Sequence, residues 1–104
     1  MIQIYKNSEV VAQSRNLRGL IEYARNKSDV KIVSCFPKDD DFPPRLAVSY
    51  DDGAHCIVEW RSYHIMVDWV RARRKWRESK ALIQYHGGDV GYFSYPGVVA
   101  GGVS

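Results

Sequence analysis

Leu46 to Trp60 reads LAVSYDDGAHCIVEW, and the way its two halves pair decides the fold. Alternating apolar residues flank Asp51, Asp52 and Gly53, the pattern of a β-hairpin. A three-residue loop with Gly53 in the left-handed conformation pairs Tyr50 with Ala54, Val48 with Cys56 and Leu46 with Val58 on one face. The same register sets Arg45 opposite Glu59. A two-residue Asp52-Gly53 loop would set Leu46 against Glu59 instead, so the charges select the longer loop and turn Cys56 inward.

Upstream, Val30 to Phe36 alternates Val30, Ile32, Ser34 and Phe36 with Lys31, Val33 and Cys35, a strand with apolar groups on both faces. Pro37 to Pro44 links it to the hairpin through three prolines and the run Asp39, Asp40, Asp41, which reads as an exposed loop. Hard-cation loops space their oxygens at alternate positions around a glycine, and this run has none, so no metal site is expected. Further back, Leu17, Leu20, Ile21 and Ala24 recur at helical spacing behind Ser14 as cap, with Arg15, Arg18, Glu22 and Arg25 on the solvated side and an end at Asn26 or within 27–29. Ile2 to Tyr5 and Val10 to Gln13 form a first hairpin about Asn7-Ser8, with Lys6 opposite Glu9 and Ile4 opposite Val11.

Downstream, Trp60 to Lys80, WRSYHIMVDWVRARRKWRESK, holds all three tryptophans and reads as one long helix capped by Ser62. At about 100° per residue, Ile65, Trp69, Ala72 and Trp76 share one side, and Tyr63, Met66, Val67 and Val70 another. Two apolar faces need two covers. The sheet supplies one; the first helix, a second copy of the chain in a homodimer, or a separate partner supplies the other. Beyond Val70, Arg73, Arg74 and Arg77 continue the second face, so the helix is expected to leave the core there. Ala81 to Tyr85 reads as a last strand, and residues 86–104, with six of the eight glycines, as a mobile tail.

The expected fold is therefore α+β: an antiparallel or mixed sheet of five to six strands with two helices, in the order β-β-α-β-β-β-α and a final strand. Residues 1–85 form the single domain. Laying Arg15 to Arg25 over Arg61 to Arg71 matches Leu20 with Met66, Ile21 with Val67, Glu22 with Asp68 and Tyr23 with Trp69, which suggests a duplicated ββα unit.

Composition narrows the function. A 104-residue chain with 45% hydrophobic residues supports one core. No apolar run approaches the roughly 18 residues of a membrane span, and the start lacks a signal-peptide pattern, so a cytoplasmic protein without a membrane partner is expected. Cys35 and Cys56 are too few and too far apart for a disulfide scaffold or zinc ribbon. His55 and Cys56 are strand neighbours on opposite faces, and no G-x-S-x-G, P-loop or H-E-x-x-H pattern occurs. No catalytic residue, metal or cofactor is assigned, and the chain is read as non-enzymatic.

What remains is binding. Val67, Val70, Arg71, Arg73, Arg74, Lys75, Trp76, Arg77 and Lys80 are the expected contact residues, with Arg15, Arg18 and Arg25 as a secondary basic patch. Tryptophan and arginine are enriched at protein-interface hot spots, which favours a protein-interaction or inhibitor module, of the kind common among phage and mobile-element accessory proteins, acting on an acidic surface. Direct nucleic-acid binding through the cluster at 71–80, with Trp76 stacking on a base, is the alternative. The opening strand-strand-helix-strand order is similar to a β-grasp, and Gly101-Gly102 resembles a ubiquitin-like terminus; Val103 and Ser104 follow it, and the tail lacks a basic lead-in.

Overall fold

A computed structural model describes residues 1–73, Trp76, and the backbone of residues 82–85. The expected tail at 86–104 lies outside the described residues. The chain runs β1 (Ile2–Lys6), β2 (Glu9–Ser14), α1 (Arg18–Asn26), β3 (Val30–Phe36), β4 (Arg45–Tyr50), β5 (His55–Glu59), α2 (Tyr63–Arg71) and β6 (Leu82–Tyr85). One six-stranded sheet has the order β2-β1-β5-β4-β3-β6, antiparallel except for β6, which runs parallel to β3. Each hairpin is followed by a helix. From β2 to β4 the strand order and directions are those of two ββα units set side by side.

The β4–β5 hairpin takes the register selected by its charges: Leu46 pairs with Val58, Val48 with Cys56 and Arg45 with Glu59. Gly53 has φ +89°, and the Tyr50 and Ala54 backbones close the loop. The ion pair of Arg45, however, is with Asp39 at 3.3 Å, and the guanidinium also lies over the Phe36 and Phe42 rings. Asp39 Oδ1 accepts from the Asp41 and Phe42 amides, so the acidic loop folds onto its own backbone. These bonds, together with Arg45, outweigh desolvation and hold the Asp39 carboxyl below its usual range.

Two bulges alter the expected pairing. In the β1–β2 hairpin, Asn7 and Ser8 both take positive φ and Lys6 faces Glu9, but Ile4 faces Ala12 and Tyr5 faces Val10, leaving Val11 as the extra residue. The shift brings the small Ala12 and Ser14 to the helix-bearing face. A Cβ on Gly19 of α1 would sit 2.3 Å from Ser14 Cβ, so only glycine lets α1 settle this close to β2. In β3 the register shifts between Val30 and Ile32, which turns Val30 as well as Val33 and Cys35 to the core.

Both helices cover the same face of the sheet. Leu20 and Tyr23 from α1 join Met66, Val67 and Val70 from α2 in one cluster with Ile4, Val33, Leu46, Val48, Tyr50 and Cys56. Tyr50 ties α1 down by donating to the Leu20 carbonyl at 2.9 Å and meeting the Tyr23 ring edge-on. The cap of α1 is not Ser14: the Asn16 side chain accepts from the Arg18 amide at 3.0 Å, and Ser14 Oγ accepts from the Asn16 amide. Ser62 caps α2 as expected.

The long helix is corrected. α2 ends at Arg71, Ala72 is a turn, and the Trp76 amide returns to the Arg73 carbonyl. In a continuous helix Trp76 would share the outer side with Ile65; the break lets it enter the core, where it is 4% exposed.

Candidate functional site: an arginine-rimmed groove between the helices

The core takes only one side of α2. Its other side carries Ile65, 60% exposed, and half-buried Trp69, and these look across a gap toward α1. The resulting groove has a volume of about 1030 Å³. Leu17 at the N-cap of α1, Ile21 of α1, Ile65 and Trp69 of α2, and Ile2 and Val58 of the sheet give it an apolar lining. α1 lies against β2 and reaches Tyr50 of β4, α2 lies against β3, and Ile2 of β1 and Val58 of β5 line the groove on the sheet side.

Tryptophans build one wall. Trp60 meets Trp69 at 5.8 Å between centroids, Trp69 meets Trp76 edge-on at 5.4 Å, and the Arg73 guanidinium lies 4.3 Å from the Trp69 centroid. Trp60 Nε1 is buried without an acceptor among the described residues.

Among the described residues, five arginines, Arg15, Arg18, Arg25, Arg61 and Arg73, line the groove against two glutamates, Glu22 and Glu59, a local formal excess of +3. Arg15 and Arg18 flank the N-terminus of α1 and Arg61 precedes the Ser62 cap of α2. Those are the helix ends where the dipole disfavours cations. Helix stability does not account for placing them there.

The expected contact residues divide accordingly. Arg15, Arg18, Arg25 and Arg73 come together at the groove, so the patch ranked second in sequence lines it with Arg73. Val67, Val70 and Trp76 are core residues, 7%, 0% and 4% exposed, and no partner reaches them on the folded chain. Packing is the reason: the sheet claims the Val67 and Val70 side of α2, and Trp69 covers Trp76. Arg71 is exposed but not in the groove lining, while Arg74, Lys75, Arg77 and Lys80 lie outside the described residues. The groove's apolar residues were missed as a site; their signal was the second apolar side of α2.

Cys35 and Cys56 are free, buried thiols, pushed up to about 12 by burial. His55 stacks near Tyr5 on the sheet face opposite Cys56, with burial holding its imidazole below the ordinary 6.5. Among the described residues no group of three or more His, Cys, Asp or Glu could hold a metal ion, and no helix is long and apolar enough to cross a membrane.

Compared with family models, curated proteins and solved structures, the chain finds no match.

Proposed function

We propose that this chain is a non-enzymatic binding module of the cytoplasm that holds an acidic protein partner in the α1–α2 groove, as an interaction or inhibitor protein does. One observation carries the reading: five arginines against two glutamates rim an apolar groove among the described residues, with Arg15, Arg18 and Arg61 at helix ends that gain nothing from them. Exposed apolar surface bordered by charge is the anatomy of a protein-interaction site, and tryptophan and arginine are its commonest anchors. The apolar floor, with Glu22 and Glu59 beside it, suits a folded polypeptide better than a polyphosphate backbone. Free thiols at Cys35 and Cys56 accord with a reducing compartment.

A photoreactive phenylalanine analogue at position 65, irradiated in the native host, tests the class of partner. A discrete, protease-sensitive adduct is expected. An adduct that dissolves with nuclease instead assigns the groove to nucleic acid and overturns the proposal, as does the absence of any adduct. A dimer of the chain itself as sole adduct would show that the groove is closed by a second copy.

A further inference from the structure

We infer that the occupant of the groove is an acidic amphipathic helix of the partner, about two turns of which lie between α1 and α2. This rests on the protein-binding reading above. Three observations select it.

The first is the backbone requirement. The groove floor is a sheet face: Ile2 belongs to β1 and Val58 to β5, which are neighbours within the sheet. An extended segment lying on that face would find no ladder to complete, and no strand fits between β1 and β5. A helix satisfies its own amides and carbonyls and needs from the groove only side-chain contact.

The second is size. A helix about 10 Å across has a cross-section of roughly 80 Å², so the 1030 Å³ groove holds about two turns. Such a segment presents apolar residues at i, i+3 or i+4, and i+7 to Leu17, Ile21, Ile65 and Trp69.

The third is charge. β2 and β5 both run antiparallel to β1 and each leads into a helix, so the N-termini of α1 and α2, with Arg15, Arg18 and Arg61 beside them, lie toward the same end of the sheet, and Arg25 and Arg73 lie toward the helix C-termini. Two positive helix ends and five guanidinium groups complement carboxylates flanking the apolar stripe of the incoming helix. A basic or neutral stripe would leave them uncompensated.

A display selection of random peptides of about 16 residues on the immobilised full chain tests this. The enriched pool should show apolar residues at three-and-four spacing flanked by Asp and Glu. Its recovery should fall roughly tenfold or more on Ile65→Asp bait and on Arg18→Glu bait, the loss of one anchor or one charge pair. Both positions are exposed, and unchanged circular dichroism of the baits confirms that the fold is retained. Enrichment of alternating or basic sequences, retention on both baits, or no enrichment at all overturns the inference. A protein adduct at position 65 together with any of those outcomes overturns the helical occupant alone. Absence of the adduct overturns the protein-binding reading itself.

Discussion

Arg73 lays its guanidinium 4.3 Å from the centre of the Trp69 ring, and Trp69 is in turn held between Trp60 and Trp76. The contact joins the groove wall to the end of α2, since the Arg73 amide also closes that helix on the Val70 carbonyl. Replacing Arg73 by Gln should cost about 0.5–1 kcal/mol, the size of an accessible cation–π contact. Trp69→Ala should cost more, about 2–4 kcal/mol, because it removes the centre of the tryptophan ladder. Urea unfolding followed by circular dichroism measures both, and equal losses would show the ladder to be unimportant.

Arg18 is the first residue of α1, where its charge opposes the helix dipole. Arg18→Glu is therefore expected to raise stability by about 0.3–1 kcal/mol while weakening capture of the acidic partner. A gain in denaturant midpoint paired with a loss of binding would mark Arg18 as placed for function. A loss of both would place it among structural residues.

Close approach of α1 to β2 depends on Gly19. A methyl group there meets Ser14 Cβ at 2.3 Å, backed by β-sheet rather than by a flexible side chain. Gly19→Ala should destabilise the fold by about 1–3 kcal/mol despite alanine's better helix propensity. Adding Ser14→Gly should recover part of the loss, and a double-mutant cycle in urea tests the coupling.

Tyr23 donates its hydroxyl to Asp52 Oδ2, fastening α1 to the β4–β5 turn, where Asp52 Oδ1 also accepts from the Ala54 amide. Burial, then the bond to Asp52, pushes the Tyr23 phenol up to about 12 from 10.0. Burial alone would raise the Asp52 carboxyl, but the bonds from Tyr23 and Ala54 outweigh it, so Asp52 sits below its usual 3.8. The signs follow from linkage. Stability from Tyr23 is complete below pH 10 and is lost as pH rises from 10 toward 12, where the unfolded chain releases the proton first. Stability from Asp52 is present above its usual 3.8 and is lost as acid protonates the folded carboxylate. Tyr23→Phe should flatten both limbs and cost about 1–3 kcal/mol at neutral pH, read from unfolding across the pH range.

Much of this architecture was legible in the chain. The Asp51-Asp52-Gly53 loop, the Arg45 and Glu59 charges and the alternating apolar residues admit one hairpin register, and the spacing of Leu17, Leu20 and Ile21 admits one helix face. The bulges at Val11 and beside Val30 were not legible, because strict alternation assumes that no residue is inserted. Nor was the end of α2, since Ala72 and Arg73 carry no glycine or proline signal and only the burial of Trp76 calls for a turn there. The groove had a visible half: Ile65 and Trp69 formed an apolar side needing a cover. That a groove would open there depends on the order of strands in the sheet, which pairs β1 with β5 and brings Ile2 and Val58 together in its lining.

A partner held by the groove, and not by net charge, makes the yield of the position-65 photo-adduct differ between two charge-reversed chains: one with Arg18→Glu and Arg73→Glu, the other with Lys31→Glu and Lys38→Glu, exposed positions outside the groove lining. The two chains carry the same net charge. Loss of the adduct from the first and its retention in the second is the predicted result; equal yields from both, whether high or low, would contradict it.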